Sequence, residues 1–150
     1  MQIPKPTKKT KVKKPKQKKL KVSTVQDVVN KAIRERDEYC RVSDGRHEHA
    51  GTLTASHFFA VGGCPVFRLY PPNINAQCFG HHGIHERKQD PFFYRAWMEQ
   101  HEPESLAWME ANFFKSIKYT QEVLKNIRDF AKSSDLDGLK KYIENLVNNA

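Results

Sequence analysis

Ten of the chain's lysines fall within its first 22 residues, and no acidic residue accompanies them. This segment, MQIPKPTKKTKVKKPKQKKLKV, is rich in Lys and Pro and nearly free of large apolar side chains. It cannot bury enough surface to offset the entropy of ordering it, so residues 1–22 are expected to be a disordered tail. The fold must then be built from residues 23–150. The whole chain of 150 residues carries 26 Lys and Arg against 17 Asp and Glu, a formal charge of +9. With the tail's ten lysines set aside, the other 128 residues hold 16 basic and 17 acidic side chains, a net of −1. The basic character therefore belongs to an arm on a near-neutral domain. Such an arm suits polyanion binding by counterion release, with Lys8, Lys9, Lys11, Lys13 and Lys14 as candidate phosphate contacts.

Three cysteines, Cys40, Cys64 and Cys78, make an odd count, and the N-terminus has no apolar run like that of a signal peptide. No window approaches the ~20 apolar residues of a membrane span. The expectation is a cytoplasmic protein with reduced thiols available for metal and no membrane partner. Six of the seven histidines (His47, His49, His57, His81, His82 and His85) are crowded into one stretch of sequence.

Hydrophobic spacing divides the rest of the chain. Ser23 and Gln26 fit a capping box, and Val25, Val28, Val29, Ala32 and Ile33 recur at helical spacing, which predicts a helix over 23–39. Its polar end, Arg34 to Glu38, is expected to be solvated. Residues 40–90 lack a long helical pattern. TLTASHFFAV (52–61) reads as a strand broken by Gly62-Gly63. Val66 to Tyr70 reads as a second strand stopped by Pro71-Pro72, and a short helix carries His81 to His85. Asp90-Pro91, Glu102-Pro103 and Ser134-Asp135 mark helix starts in a helical part over 91–150; the helix after Pro103 either runs unbroken to Phe130 or gives way to a separate segment capped by Thr120. Trp97, Trp108, Phe92, Phe93, Phe113 and Phe114 are numerous enough to suggest base stacking, but their helical spacing favours a place in the core. Cys64 is expected to be a small buried residue. His101 ends a helix, where it favours the negative pole of the dipole. The fold class is α+β: a small core flanked by an N-terminal helix and several C-terminal helices.

The residues with chemistry come in a set order. Thr54-Ala55-Ser56-His57 is followed by Asn73, then by Cys78-x-x-His81-His82-x-x-His85. On a strand–turn–strand–loop–helix frame this is the order a ββα-metal site needs. His57 would be the general base that activates water toward phosphorus, since a neutral imidazole suits that task at cellular pH. The helix would hold a divalent ion, because His81 and His85, or His82 and Glu86, share a face at i, i+4 spacing. Mg²⁺ or Mn²⁺, or else Zn²⁺, would neutralise charge at the phosphate. Asn73, with Asn75 as a second candidate, would bridge the loop and hold the base strand in place. Arg68, Arg87 and Lys88 border the site and are candidate DNA contacts.

This segment resembles an HNH motif, in which asparagine precedes a Cys-x-x-Cys-His by the same five residues. Its Asn73-to-His82 gap is similar to that of the nuclease colicins. A longer stretch, 28–100, resembles the NinG (Rap) recombination proteins of lambdoid phages. The likeness runs through Val29-Asn30-Lys31-Ala32-Ile33-Arg34-Glu35-Arg36-Asp37, Cys40, Ala55-Ser56-His57, Arg68-Leu69 and Asn73-Ile74-Asn75-Ala76-Gln77-Cys78. The resemblance implies branched DNA, such as Holliday junctions and D-loops, as the substrate in a phage-infected or lysogenic bacterial host. It also implies a structural zinc site built from two Cys-x-x-Cys pairs. Here those pairs read Cys40-x-x-Ser43 and Cys78-x-x-His81. Either zinc is held by Cys40, Cys78 and His81 with Asp44, His47 or His49 completing the tetrahedron, or the helical packing has replaced it. In the first case His82 is left for the catalytic metal, with His85 or Glu86 in support.

Three functions compete at this level. One is a metal-dependent DNA endonuclease, another a non-catalytic zinc-knuckle DNA-binding accessory protein, and the third an RNA-binding protein driven by the lysine tail. A homodimer would suit cutting both strands of a symmetric four-way junction.

Overall fold

The computed structural model of the protein describes residues 18–43, 52–86 and 92–150, the last three of the second segment by backbone alone. It is α+β and mostly helical. Helix α1 spans Val22–Asp37, strand β1 Thr54–His57, strand β2 Ile74–Gln77 and helix α2 Phe79–Glu86. Four further helices follow: α3 (Phe93–His101), α4 (Pro103–Ala111), α5 (Gln121–Lys132) and α6 (Leu136–Asn148).

The strands form an antiparallel pair with Thr54 opposite Gln77 and His57 opposite Ile74. A two-stranded sheet is marginal alone, so its neighbours must support it. Helix α1 packs against both strands and against α5, and α2 packs on both strands as well. Val25, Val29, Ala32 and Ile33 form the buried stripe of α1, joined in one core by Leu124 and Ile127 of α5 and Leu139 and Ile143 of α6.

The second strand is not where the β-branched run predicted it. Pro65–Phe67 and Pro71–Asn73 are single 3₁₀ turns, and the strand is Ile74–Gln77, all four residues of which are buried. Proline at the first position of each turn sets the tight φ and supplies no backbone donor for a ladder. Arg68 consequently lies at the end of a 3₁₀ turn, not on a strand.

One helix start also departs from expectation. Helix α1 begins at Val22 with Lys21 as N-cap and no side-chain cap, so the Ser23 capping box does not form. Leu20 packs on the core, and its backbone N–H and C=O both bond to the Gln121 side chain. Leu20, inside the segment read as tail, therefore belongs to the fold, because that leucine has an apolar surface to join. Thr120 caps α5 by accepting the Val123 N–H, which ends the question of one long helix after Pro103. Asp135 caps α6 through the Gly138 N–H, and a Cβ at Gly138 would overlap the Asp135 carboxylate. Ser134 supplies the left-handed turn between α5 and α6 with φ 59°. Asp90-Pro91 lies outside the described residues.

The polar end of α1 is solvated at Glu35, Arg36 and Glu38 as expected, but Asp37 is the exception. Asp37 is 5% exposed. Its carboxylate pairs with Arg36 at 2.6 Å and with Arg41 at 3.5 Å, and it accepts the Ala76 N–H at 2.8 Å. The Arg36 guanidinium also donates to the Ile74 carbonyl. Arg41 continues outward to Glu102 at 2.7 Å and lies over the Trp97 ring. A buried carboxylate needs such partners, and here they bind α1 to the free edge of β2.

Candidate functional site

The turn after α1 brings two distant cysteines together. Glu38 takes a left-handed φ of 61°, and its N–H returns to the Arg34 carbonyl, closing the helix. Arg41 N–H then bonds to the Ala76 carbonyl, so β2 is held on its outer edge by Asp37 and Arg41. Cys40 lies between those anchors and Cys78 lies just past the end of β2. Helix α2 starts at once, and one turn later it presents His81, whose following residue His82 bonds its N–H to the Cys78 carbonyl.

The outcome is a cluster of Cys40, Cys78 and His81 with ligand atoms all within 4.8 Å of one another. Both sulfurs stand 3.3 Å from His81 Nδ1. All three residues are buried. The His81 ring lies flat on Phe93, 9° from parallel, which fixes its direction. A tetrahedral ion with bonds of ~2.0–2.3 Å imposes S···N separations of about 3.5 Å, so two thiolates and an imidazole in this arrangement suit zinc. Burial pushes the Cys40 thiol up to about 12, which a metal that requires thiolates would reverse. Asp44, His47 and His49, the expected sources of a fourth ligand, lie outside the described residues.

His57 ends β1 and is half-buried. Its Nε2 lies 2.9 Å from the Arg68 carbonyl. A carbonyl only accepts, so Nε2 carries the proton and Nδ1 is left as the basic atom. Burial holds the imidazole below its usual 6.5. Arg68 is thus tied to His57 through its backbone, while its side chain donates to Gln26 on α1.

Asn73 fastens the end of the same strand. Its Oδ1 accepts the Phe59 N–H at 2.8 Å, and its Nδ2 donates to the carbonyls of Phe59 and Phe67. Its own backbone carbonyl accepts the Phe58 N–H. Three side-chain bonds from one fully buried amide hold the chain just beyond His57 and the loop that carries Arg68. Asn75 does something different, joining Tyr94 of α3 and Arg36 of α1. Replacing Asn73 by Ala would leave buried backbone groups unpaired, so a loss of about 2–4 kcal/mol is expected. Denaturant unfolding checks this, and a wild-type midpoint would contradict it.

His82 is half-buried on α2. Successive helical residues are ~100° apart, so its direction differs from that of His81. The side chains of His85 and Glu86, and residues Arg87, Lys88, Lys8, Lys9, Lys11, Lys13 and Lys14, lie outside what is described. Cys64 is buried in the core as expected. His101 bonds through Nδ1 to the Trp97 carbonyl and stacks on that ring. Phe93 and Trp97 are buried and Trp108 is half-buried against the core, but Phe92, Phe113 and Phe114 are exposed, against their expected place in the core. Helical spacing predicted a face for them; Phe92 instead precedes α3 and Phe114 follows the end of α4. Asp37 was missed as the residue that seats Cys40. It continues the α1 stripe four residues after Ile33, and a carboxylate on an apolar stripe is the trace it leaves in sequence.

With the site described, the comparison with known families is decisive. The family model described as Bacteriophage Lambda NinG protein matches residues 1–142. The chain belongs to the NinG family. Neither the curated proteins nor the solved structures yield a match. Among its described residues, this NinG protein has no helix long and apolar enough to cross a membrane.

Proposed function

We propose that this NinG protein is a metal-dependent DNA endonuclease that cuts branched intermediates of phage recombination. Its family membership supports the recombination role. The observation that carries the chemistry is the His57 ring, whose Nε2–H is committed to the Arg68 carbonyl and whose Nδ1 is left as proton acceptor. Kept neutral by burial, that nitrogen takes the proton of a water attacking phosphorus. Asn73 and the Arg68 carbonyl fix the ring's strand and orientation, which spares reorganisation at the moment of reaction. A divalent ion held by His82 with His85 or Glu86 supplies, when bound, charge neutralisation at the phosphate and the leaving oxygen. The ββα order of β1, β2 and α2 agrees with this arrangement.

The zinc-binding cluster of Cys40, Cys78 and His81 would hold α1, β2 and α2 in register without taking part in hydrolysis. On its own it would serve a non-catalytic DNA-binding protein equally well. The His57 tautomer favours the enzyme. Incubation with linear, supercoiled and four-way-junction DNA in Mg²⁺, Mn²⁺ or EDTA tests the reading. Metal-dependent nicking, strongest on the junction, is expected, and binding without nicking in any metal would leave only the accessory role.

The lysine-rich arm supplies affinity without sequence preference. Deleting residues 2–17 removes seven lysines while sparing Leu20. Lower affinity and a shallower salt dependence are expected, by about 0.9 in log–log slope for each phosphate that the arm no longer neutralises. An unchanged slope would remove the arm from the interface.

A further inference from the structure

Phe114 is 96% exposed, the most exposed of the large apolar side chains described. Burying such a ring would stabilise a fold, so its position calls for a reason outside the core. The backbone shows how it gets there. Asn112 closes α4, its amide donating to the Trp108 carbonyl, and a turn from Lys115 N–H to the Asn112 carbonyl tips the intervening residues outward.

The ring is nonetheless braced. It stands edge-on to Phe113 at 5.2 Å, Phe113 stands edge-on to Phe59 at 5.4 Å, and Phe59 contacts Phe58 and Phe67 in turn. Phe59 is the residue that Asn73 clasps, two places beyond His57. Tyr119 joins the same loop, donating to the Pro65 carbonyl. An aromatic ladder therefore runs from the strand of the proposed base to solvent, rooted in the loop whose Arg68 carbonyl orients His57.

The surroundings of the ring decide what fits it. Residues 111–121 contain Lys115 and Lys118, both exposed, and no acid. Of the glutamates that border the stretch, Glu110 is paired with Arg95, and Lys115 Nζ reaches the Val147 carbonyl only at 3.5 Å. A two-fold contact between copies centred on Phe114 would bring these lysines toward their own images, which opposes it. A nucleic acid supplies both a flat π face and flanking phosphates. Fully paired DNA, a four-way junction with matched arms included, offers few free base faces, whereas a fork exposes them. We propose that Phe114 is a stacking platform for an unpaired base at the branch of the DNA substrate, with Lys115 and Lys118 on the adjoining phosphates. This rests on the endonuclease reading above and adds how the branch is recognised.

The test uses the full chain in EDTA, so that binding is read without cleavage. A forked DNA carries 5-iododeoxyuridine at its first unpaired position, and a linear duplex carries it in a base pair. Photocrosslinking is expected at Phe114 with the fork and to be absent with the duplex. Phe114→Ala should weaken fork binding by about ten-fold and leave duplex affinity unchanged, with Phe114→Tyr restoring it. Crosslinks confined to other residues, or equal fork affinity for wild type and Phe114→Ala, would overturn the platform. So would a Phe114→Ala change in sedimentation with unaltered DNA binding, which would assign the ring to a contact between copies. Wild type that crosslinks at Phe114 but never cleaves with Mg²⁺ or Mn²⁺ would sink the nuclease reading alone. Cleavage without any Phe114 effect would sink the platform alone.

Discussion

Replacing His57 by Ala is expected to lower metal-dependent cleavage by at least about 10²-fold while leaving DNA binding intact. The size follows from losing a positioned general base, for which typical contributions run from about 10² to 10⁴. The ring lies at the end of β1 and is only half-buried, so its removal should spare the core. The wild-type pH profile carries a second mark of the same residue. Burial depresses the imidazole below 6.5, which means the neutral form persists to lower pH than an ordinary histidine allows. Cleavage should therefore be flat in this limb above 6.5 and fall as the pH drops through the lowered value. The same shift makes His57 stabilising above 6.5 and progressively less so as it charges in acid. In His57→Ala the residual rate should lose that acidic limb. Equal product yields from the two proteins would remove His57 from the chemistry.

The second large effect concerns the cysteine–histidine cluster. Protein purified without chelator should contain one zinc per chain. Its removal, or Cys78→Ser, should lower the midpoint of thermal unfolding by roughly 10 °C, as expected for a loss of a few kcal/mol in a domain of this size. Cys64→Ala is the control, because Cys64 lies in the apolar core away from the cluster and should cost stability without loss of metal. The affinity should rise with pH. A metal must displace the thiol protons, and burial has pushed the Cys40 thiol up to about 12. Binding thus releases protons, with up to about one order of magnitude in affinity per pH unit for each thiol that ionises. Metal content measured by mass spectrometry and unfolding followed by circular dichroism report the two halves. Zinc-free protein with an unaltered melting point after chelation would show that packing alone holds this corner.

The cluster was partly legible in advance. Cys78-x-x-His81 is three residues long and helix-linked, so local geometry alone keeps its members close. Cys40 is a different case, since nothing local ties it to residue 78. It arrives there because Asp37 and Arg41 bond to both backbone groups of Ala76, a contact between segments nearly forty residues apart. The misplaced second strand has a similar origin. Val66 to Tyr70 has strand composition, but Pro65 and Pro71 turn it into 3₁₀, and Ile74–Gln77 forms the ladder because its outer edge has α1 to bond to.

What the sequence determined by itself was the segregation of charge, the α+β class, the spacing of the buried stripes and the order His57, Asn73, Cys78, His81. These are properties of composition and of short-range period, readable without knowing what meets what. Tertiary structure alone decided that a carboxylate at residue 37 is buried, and that the Arg68 carbonyl rather than its side chain addresses His57. It also decided that one amide at residue 73 fastens the loop, and that Phe114 faces solvent. Each depends on which backbone donors and acceptors are left unpaired when the helices close on a two-stranded sheet, and that is settled only once the chain has packed.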